Sequence, residues 1–315
     1  MDIIAVGEVL IDLTQTGIGE NGVRHYAANP GGAPANVAVA AARLGAKTGF
    51  VGKVGRDLFG QDLRNVLNEN GVDTSGLYET EQAHTTQAVV SLDGRGERNF
   101  FFYRSPGADT LLNTEEVQLA LKEAPLFLHI GSVSLTAEPA RSATLAAARH
   151  ARERGALVSY DPNYRSSLWP DEETAVTQMK APLGLTDVIK LSEEELPLLT
   201  GTNDLEAGSC RLMDYGISLI LVTLGSEGTF YRLGSCTGRV QAISVSVADT
   251  NGAGDTFLGA LLSRLVKRAG GPLSGLKAEE LEAHLCFANR AAAITCSRSG
   301  AIPAMPTLAE LKACK

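Results

Sequence analysis

No two cysteines in this sequence lie close enough to suggest a disulfide framework or a zinc-ligand spacing. The five, Cys210, Cys236, Cys286, Cys296 and Cys314, are odd in number and widely scattered. That is the pattern of reduced thiols, and the expected compartment is the cytoplasm. The five histidines show no H-x-x-x-H or similar spacing, which argues against a structural zinc site. Basic charge is also in short supply. With 28 Lys and Arg against 36 Asp and Glu, the formal net charge is -8 and the pI is near 5.3. There is no overall positive field to neutralise a nucleic-acid backbone or an anionic membrane surface. The expected partners are small molecules, with no nucleic acid and no membrane. No apolar run is long enough to span a bilayer. The opening "MDIIAVGEVLIDL" carries an acidic second residue and a glycine and a glutamate inside its apolar stretch, which fits a buried strand and not a signal peptide.

What is present is enough chain, 315 residues and 33.1 kDa, to bury a large core, expected as one α/β domain over residues 1–315. Short β-rich runs recur: "IIAVGEVLI", "TGFVGKVG", "LFLHIGSV", "ALVSYDP", "DVIKLS" and "SLILVTLG". Helical periodicity alternates with several of them, as in "ARSATLAAARHARERG". This predicts a doubly wound, mostly parallel sheet flanked by helices, with ligands beyond the carboxyl ends of the strands. One region departs from the alternation. "TTQAVVSLDGRGERNFFFYR", residues 85–104, reads as a hairpin around "DGRG" with no helix after it. Its adjacent Phe100, Phe101 and Phe102 cannot all face one buried surface, because strand side chains alternate. A flap over a cleft or a dimer contact would cover both faces. Segments 13–30 and 83–105 are the expected halves of a small β lid.

Two glycine-containing motifs are set aside. "GIGENG", Gly17 to Gly22, satisfies G-x-G-x-x-G, but "VRHYAANPGG" after it cannot open the helix that a dinucleotide site needs. A turn in the flap is the better reading. "GAKT", Gly45 to Thr48, lacks the adjacent Gly-Lys and the upstream glycine of a Walker loop.

"DTNGAGDTF", residues 249–257, poses a sharper question, since a carboxylate follows the glycines where a phosphate site usually recruits a lysine. "TFLGALLSRLVKRAG" is helical, so the helix begins within Gly252 to Asp255. Amides of Gly252, Ala253 and Gly254 then face outward at a helix N-terminus and can hold an anion unaided. Asp255 is either the helix cap or a base that orients a hydroxyl beside a transferring phosphoryl group. Elsewhere, Asp12 is expected to close the first strand, either as an ordinary strand-end turn former or as a carboxylate that accepts from two neighbouring ligand hydroxyls. Gly31 and Gly32 permit close backbone approach, and Asn36, one turn into a helix, offers donor and acceptor. In "YDPNYR", Pro162 stops a strand, with Asn163 and Arg165 projecting into loop; a surface salt bridge and a functional role both fit Arg165. In "KLSEEE" the acids suit a first helical turn, while Lys190 could contact phosphate.

"DTNGAGDTFLGALL" resembles the C-terminal signature of the ribokinase-like, or PfkB-type, carbohydrate kinases, and "GGAPANVAVAAARLG" resembles their N-terminal one. The likeness covers nearly the whole chain. It implies Asp255 as base, Gly252, Ala253 and Gly254 as anion hole, and Asp12, Gly31, Gly32 and Asn36 as sugar ligands. "YDPNYRSSLWP" and "FFYRSPGADTLL" resemble bacterial fructokinases and, less closely, 2-keto-3-deoxygluconate kinases. That implies D-fructose as acceptor, with Asn163, Arg165 and Arg104 on the substrate side and Arg104 reaching the sugar or its phosphate. A keto-acid substrate would place Arg104 and Arg165 on its carboxylate; ribose or a nucleoside comes next. On the nucleotide side the resemblance implies Lys190, Glu195, Thr223, Gly225, Gly228 and Asn289, with Ser192 where an asparagine is common. It implies ATP and a K⁺ site at Asp249, Asn251 and Ser299, with Asn251 departing from the usual residues; Mg²⁺ is expected because the triphosphate charge must be offset during transfer, and a homodimer through the β lid because the hairpin has two faces to cover. Two other classes compete: a catalytically silent sugar-binding regulator, and a nicotinamide-dependent dehydrogenase resting on Gly17 to Gly22.

Overall fold

The computed structural model describes residues 1–92 and 98–313, and the chain in it builds two sheets. The strands are β1 (Ile3–Val6), β2 (Leu10–Ile18), β3 (Arg24–Gly31), β4 (Thr48–Gly55), β5 (Val72–Thr80), β6 (Gln87–Leu92), β7 (Arg98–Tyr103), β8 (Phe127–Gly131), β9 (Leu157–Asp161), β10 (Val188–Ser192), β11 (Leu219–Thr223), β12 (Thr229–Leu233) and β13 (Cys236–Val240). The helices are α1 (Ala33–Arg43), α2 (Leu58–Glu69), α3 (Thr114–Ala120), α4 (Ala140–Glu153), α5 (Glu172–Lys180), α6 (Glu195–Thr200), α7 (Leu205–Met213), α8 (Ala253–Leu265), α9 (Ala278–Cys296) and α10 (Leu308–Ala313). Among them none is long and apolar enough to cross a membrane.

The large sheet runs β13-β12-β11-β10-β9-β8-β1-β4-β5, and β12 alone runs antiparallel to the others. The chain builds outward from β1 through β4 to β5, then returns to the other side of β1 as β8 and proceeds to β11. Strand order therefore reverses between β1 and β8, and a crevice opens at their carboxyl ends. The expected doubly wound α/β architecture is what forms. The polar-alternating "VDTSGLYET" was not among the expected strands, because as edge strand β5 it buries only every second residue over its first half.

The small sheet, β3-β2-β6-β7, joins two antiparallel hairpins through the parallel pair β2 and β6. It corrects one expectation. "IIAVGEVLI" is not one strand: Gly7, at φ 150°, Glu8 and Val9 interrupt it, so β1 stays in the large sheet while β2 crosses to the small one. Asp12 is the third residue of β2, where it lines the cavity at the crevice, and does not end β1. "GIGENG" connects β2 to β3; with a strand and no helix after it, the dehydrogenase reading is lost. The "DGRG" turn, Asp93 to Gly96, lies outside the described residues. Phe101 is solvent-exposed while Phe102 faces the crevice, the alternation that a strand imposes.

Helices α1, α8 and α9 cover one face of the large sheet, with Phe257, Leu261 and Leu285 packed against Ile3, Val188 and Leu219. Helix α1 crosses α8 closely because Gly259 has no side chain. A Cβ there would stand 2.7 Å from both Ala40 Cβ and the Val37 carbonyl. One turn earlier on each helix lie Asn36 and Asp255, in hydrogen bond at 2.8 Å, so the crossing sets their separation. Gly259→Leu should cost about 1–3 kcal/mol of stability through overpacking and lower turnover as well. Unchanged denaturation midpoint and rate would show that the crossing does not control the site.

Candidate active site

Asp255 sits in the first turn of α8, 7 % exposed, after Gly252 takes the left-handed φ of 73° that turns the chain into the helix. Its side chain does not cap the helix. Instead Asn36 Nδ2 donates to Oδ2 at 2.8 Å and Asn163 Nδ2 donates to Oδ1 at 3.3 Å. Asn163 reaches it from the loop after β9 in a left-handed conformation, φ 45°, which asparagine tolerates better than most residues. Burial pushes the Asp255 carboxyl up to about 6, helped by the nearby Asp161 carboxylate and opposed by the Asn36 amide, Lys190 and Arg165. The amides of Gly252 and Gly254 have no acceptor among the described residues, while Ala253 N–H already donates to the Thr250 carbonyl at 3.3 Å. Of the three expected anion-hole amides, Ala253 is therefore the weakest donor.

Asp255 lines a cavity of about 250 Å³ together with Asp12, Gly32, Asn36, Asn163 and Arg165, and also Glu8 and Phe102. Each glycine of the pair has its own reason. A Cβ on Gly31 would fall on Asp12 Oδ2; one on Gly32, at φ 104°, would come within 2.6 Å of the Glu8 carbonyl. Burial lifts the Asp12 carboxyl to about 6, with Arg165 pulling it down and Asp255 and Asp249 pushing it up. Arg165 is exposed, makes no salt bridge among the described residues, and faces both carboxylates. Arg104 is placed otherwise than expected. Its side chain is 6 % exposed, and the guanidinium is held by Asp109 at 2.7 Å, by Thr136 Oγ1 at 2.6 Å and by the Val133 carbonyl at 3.0 Å. It borders a neighbouring hollow with Thr110 and Ser167, not this cavity.

Positive charge reaches the glycine turn from another strand. Lys190, in β10, places its ammonium so close to Gly254 that a Cβ there would stand 2.9 Å from Nζ. The same Nζ forms a buried ion pair with Asp161 at 2.9 Å. Burial pulls the Lys190 ammonium down, but Asp161 and Glu195 outweigh it and hold it above the ordinary value. Ser192 and Glu195 form a reciprocal capping pair. Ser192 N–H donates to Glu195 Oε2 at 2.8 Å and Glu195 N–H to Ser192 Oγ at 3.3 Å, while Glu195 Oε1 accepts from Tyr164 N–H at 2.7 Å. Both carboxyl oxygens of Glu195 are thus spent on backbone.

A second cavity, about 410 Å³, is lined by Thr223, Gly225, Gly228, Phe257 and Asn289 and reaches Ala253 and Gly254. The turn carrying Gly225 and Gly228, at φ 55° and 96°, also joins β11 to β12, so it is both a hairpin and a cavity wall. Asn289 uses its amide structurally: Oδ1 accepts from Thr229 at 3.0 Å and Nδ2 donates to the Gln241 carbonyl at 3.0 Å. Beyond the glycine turn, Asp249 accepts from Asn251 N–H at 3.0 Å and Gly300 N–H at 3.1 Å, drawing the loops of Asn251 and Ser299 together. Among the described residues no three His, Cys, Asp or Glu side chains cluster as a metal site.

Asp161 and Glu8 were not singled out by sequence reasoning, and Phe102 was read only as part of the flap. Asp161 stands in the quoted "YDPNYR", and a carboxylate ending a strand was the available signal. Nothing in "VGEVL" distinguishes Glu8 from an exposed strand residue.

Residues 1–308 match the profile of the pfkB family carbohydrate kinases. Fructokinase-1 of Zea mays is 44 % identical over 312 residues, covering 98 % of this chain and 96 % of its own. A crystal structure of fructokinase from Xylella fastidiosa with bound ATP superposes with TM-score 0.92 at 37 % identity, over 99 % of this chain and 97 % of that one. A Vibrio cholerae fructokinase double mutant in its fructose, ADP and potassium-bound form gives TM-score 0.89 at 36 % identity, over 99 % and 98 %.

Proposed function

Because the chain belongs to the pfkB family of carbohydrate kinases, we propose that it transfers the γ-phosphoryl group of ATP to a primary hydroxyl of D-fructose. One observation carries the reading: Asp255, clamped by Asn36 and Asn163, stands where the smaller cavity meets the glycine turn that borders the larger one. Sugar in the first, held by Asp12 and Asn36, presents its hydroxyl to the carboxylate; nucleotide in the second presents its terminal phosphate to Gly252, Gly254 and Lys190. Asp255 accepts the hydroxyl proton as the oxygen attacks phosphorus, and the amides and ammonium offset charge on the moving group. The relatives named above favour fructose. So does Arg104: with it committed to Asp109, Arg165 is the one of the two candidate arginines facing the cavity, which suits a neutral sugar better than a keto-acid.

Mg²⁺ would offset the triphosphate charge; with no acidic cluster among the described residues, phosphate oxygens and water would supply most of its ligands. Asp249 fits a K⁺ site by gathering the Asn251 and Ser299 loops. The small sheet serves as lid, and its exposed Ile18, Tyr26, Phe101 and Tyr103 suit a homodimer contact. Exposed free thiols at Cys210, Cys236 and Cys286 suit the cytoplasm.

A coupled assay of ADP release across fructose, 2-keto-3-deoxygluconate, ribose and a nucleoside tests the proposal. Fructose should give the highest kcat/KM, and absence of sugar-dependent ADP release would overturn it. Asp12→Ala should raise the sugar Kd by about 10- to 100-fold through loss of charged hydrogen bonds; unchanged calorimetric affinity would remove Asp12 from the sugar site. Asp255 must be ionised to act as base. With its carboxyl at about 6, kcat/KM should fall tenfold per unit as pH drops below about 6, and more steeply if Asp12 must also ionise. A profile flat down to pH ~5 would exclude Asp255 as the titrating base.

A further inference from the structure

Glu8 is a buried carboxyl group in the smaller cavity that the transfer chemistry above does not use. It leaves the carboxyl end of β1, is 3 % exposed, and lines the same wall as Asp12, Asn36 and Asp255. Its Oε1 accepts Ala33 N–H at 3.2 Å, at the start of α1. Its Oε2 is buried with no hydrogen-bond partner. The backbone gives it no room to withdraw, because Gly32 packs directly on the Glu8 carbonyl. Asn36 Oδ1, on the same cavity, is likewise buried and unpartnered. Buried polar atoms are nearly always satisfied, and leaving one unmade costs about 1–3 kcal/mol. Two residues lining one cavity each keep a buried oxygen unpaired, which a ligand's polar groups would satisfy.

We propose that Glu8 is a specificity-determining sugar ligand whose Oε2 pairs with a fructose hydroxyl other than the one that receives the phosphoryl group. The inference rests on the fructose-kinase reading of the same cavity. The chemistry of the pocket favours a neutral acid in this place. Burial pushes the Glu8 carboxyl up to about 8, with Asp109 adding to the rise while backbone amides and Arg104 oppose it. At neutral pH it is mostly protonated, so it can donate to a sugar oxygen as well as accept. It also adds little negative charge beside Asp12, Asp255 and the incoming triphosphate. A neutral Glu8 thus complements the charged Asp12, which accepts only.

The test is steady-state kinetics on the full-length enzyme with fructose and a set of mono-deoxyfructoses. Glu8→Met should raise the KM for fructose about 10- to 100-fold, with kcat at saturating sugar and KM for ATP changed far less. Glu8→Gln, which keeps a donor and an acceptor, should restore most of that loss. One deoxyfructose, lacking the hydroxyl that Oε2 meets, should be discriminated against by the unmodified enzyme and treated like fructose by Glu8→Met. A fructose KM within about twofold of normal in Glu8→Met, or unaltered discrimination across the deoxy set, overturns the assignment. Should Glu8→Met fail to fold, Glu8→Asp, which draws the carboxyl back by one methylene, carries the same test, and an unchanged fructose KM there sinks it. An unmodified enzyme inert toward fructose removes both this assignment and the fructose reading, whereas an active one insensitive at Glu8 removes this assignment alone.

Discussion

Asp255→Asn should lower kcat by about 10²- to 10⁴-fold, the range for loss of a general base, while ATP affinity stays close to normal. The substitution conserves shape but not chemistry. The carboxylate accepts from the Asn36 and Asn163 amides on separate oxygens, and it still has lone pairs for the sugar hydroxyl. An asparagine amide turns one of those oxygens into a donor, which Asn36 can meet by flipping its unpartnered Oδ1 toward it, but it has no basicity to take the proton. Stability should move the other way. Because the folded-state carboxyl lies at about 6, above the ordinary carboxylate value, the native state holds its proton more tightly than the unfolded chain does. Stability tied to that proton is present at low pH and is lost as pH rises through about 6. At neutral pH the buried charge is a burden that Asp255→Asn removes, so its denaturation midpoint should equal or exceed the normal one. A variant of near-normal rate would remove Asp255 from the mechanism, and a strongly destabilised one would show that the carboxylate is structural.

Lys190→Met should be damaging twice over. Asp161 is 1 % exposed and its carboxylate has the Lys190 ammonium at 2.9 Å. Removing one member of a buried pair leaves an uncompensated charge and costs about 3–5 kcal/mol. The ammonium also stands against Gly254, where the moving phosphoryl group would develop charge, so turnover should fall by about 10²- to 10³-fold. The two losses separate in the double variant Asp161→Asn with Lys190→Met. Neutralising the orphaned carboxylate should recover much of the stability without recovering the rate. Recovery of both would mean that Lys190 serves only to hold Asp161, and recovery of neither would point to a general collapse of the β9 and β10 strand ends.

Much of the site was legible because its parts are local. The glycine turn, the helix after it and Asp255 are adjacent in sequence, as are Gly31, Gly32 and Asn36, and local spacing conveys local geometry. Arg104 shows where that reasoning stops. Its position at the base of β7 was read correctly, but its target depends on Asp109, Thr136 and Val133, which the chain brings in from later segments. Asp12 was assigned to the wrong strand because a continuous apolar run does not reveal that Gly7, Glu8 and Val9 carry the chain from one sheet to another. Glu195 and Asn289 were located, yet their polar atoms are spent on backbone and on Thr229, which no spacing could disclose.

By itself the sequence determined the alternating α/β architecture and the two glycine signatures, because periodicity and turn chemistry act over a few residues. Lys190 was legible as a candidate phosphate contact, but only the tertiary structure brought its charge to the glycine turn. That charge arrives from β10, more than sixty residues earlier in the chain, and it is held by Asp161 from the neighbouring strand. Electrostatic forces act through space and not along the chain, so a lysine missing beside Asp255 in sequence is present beside it in the fold.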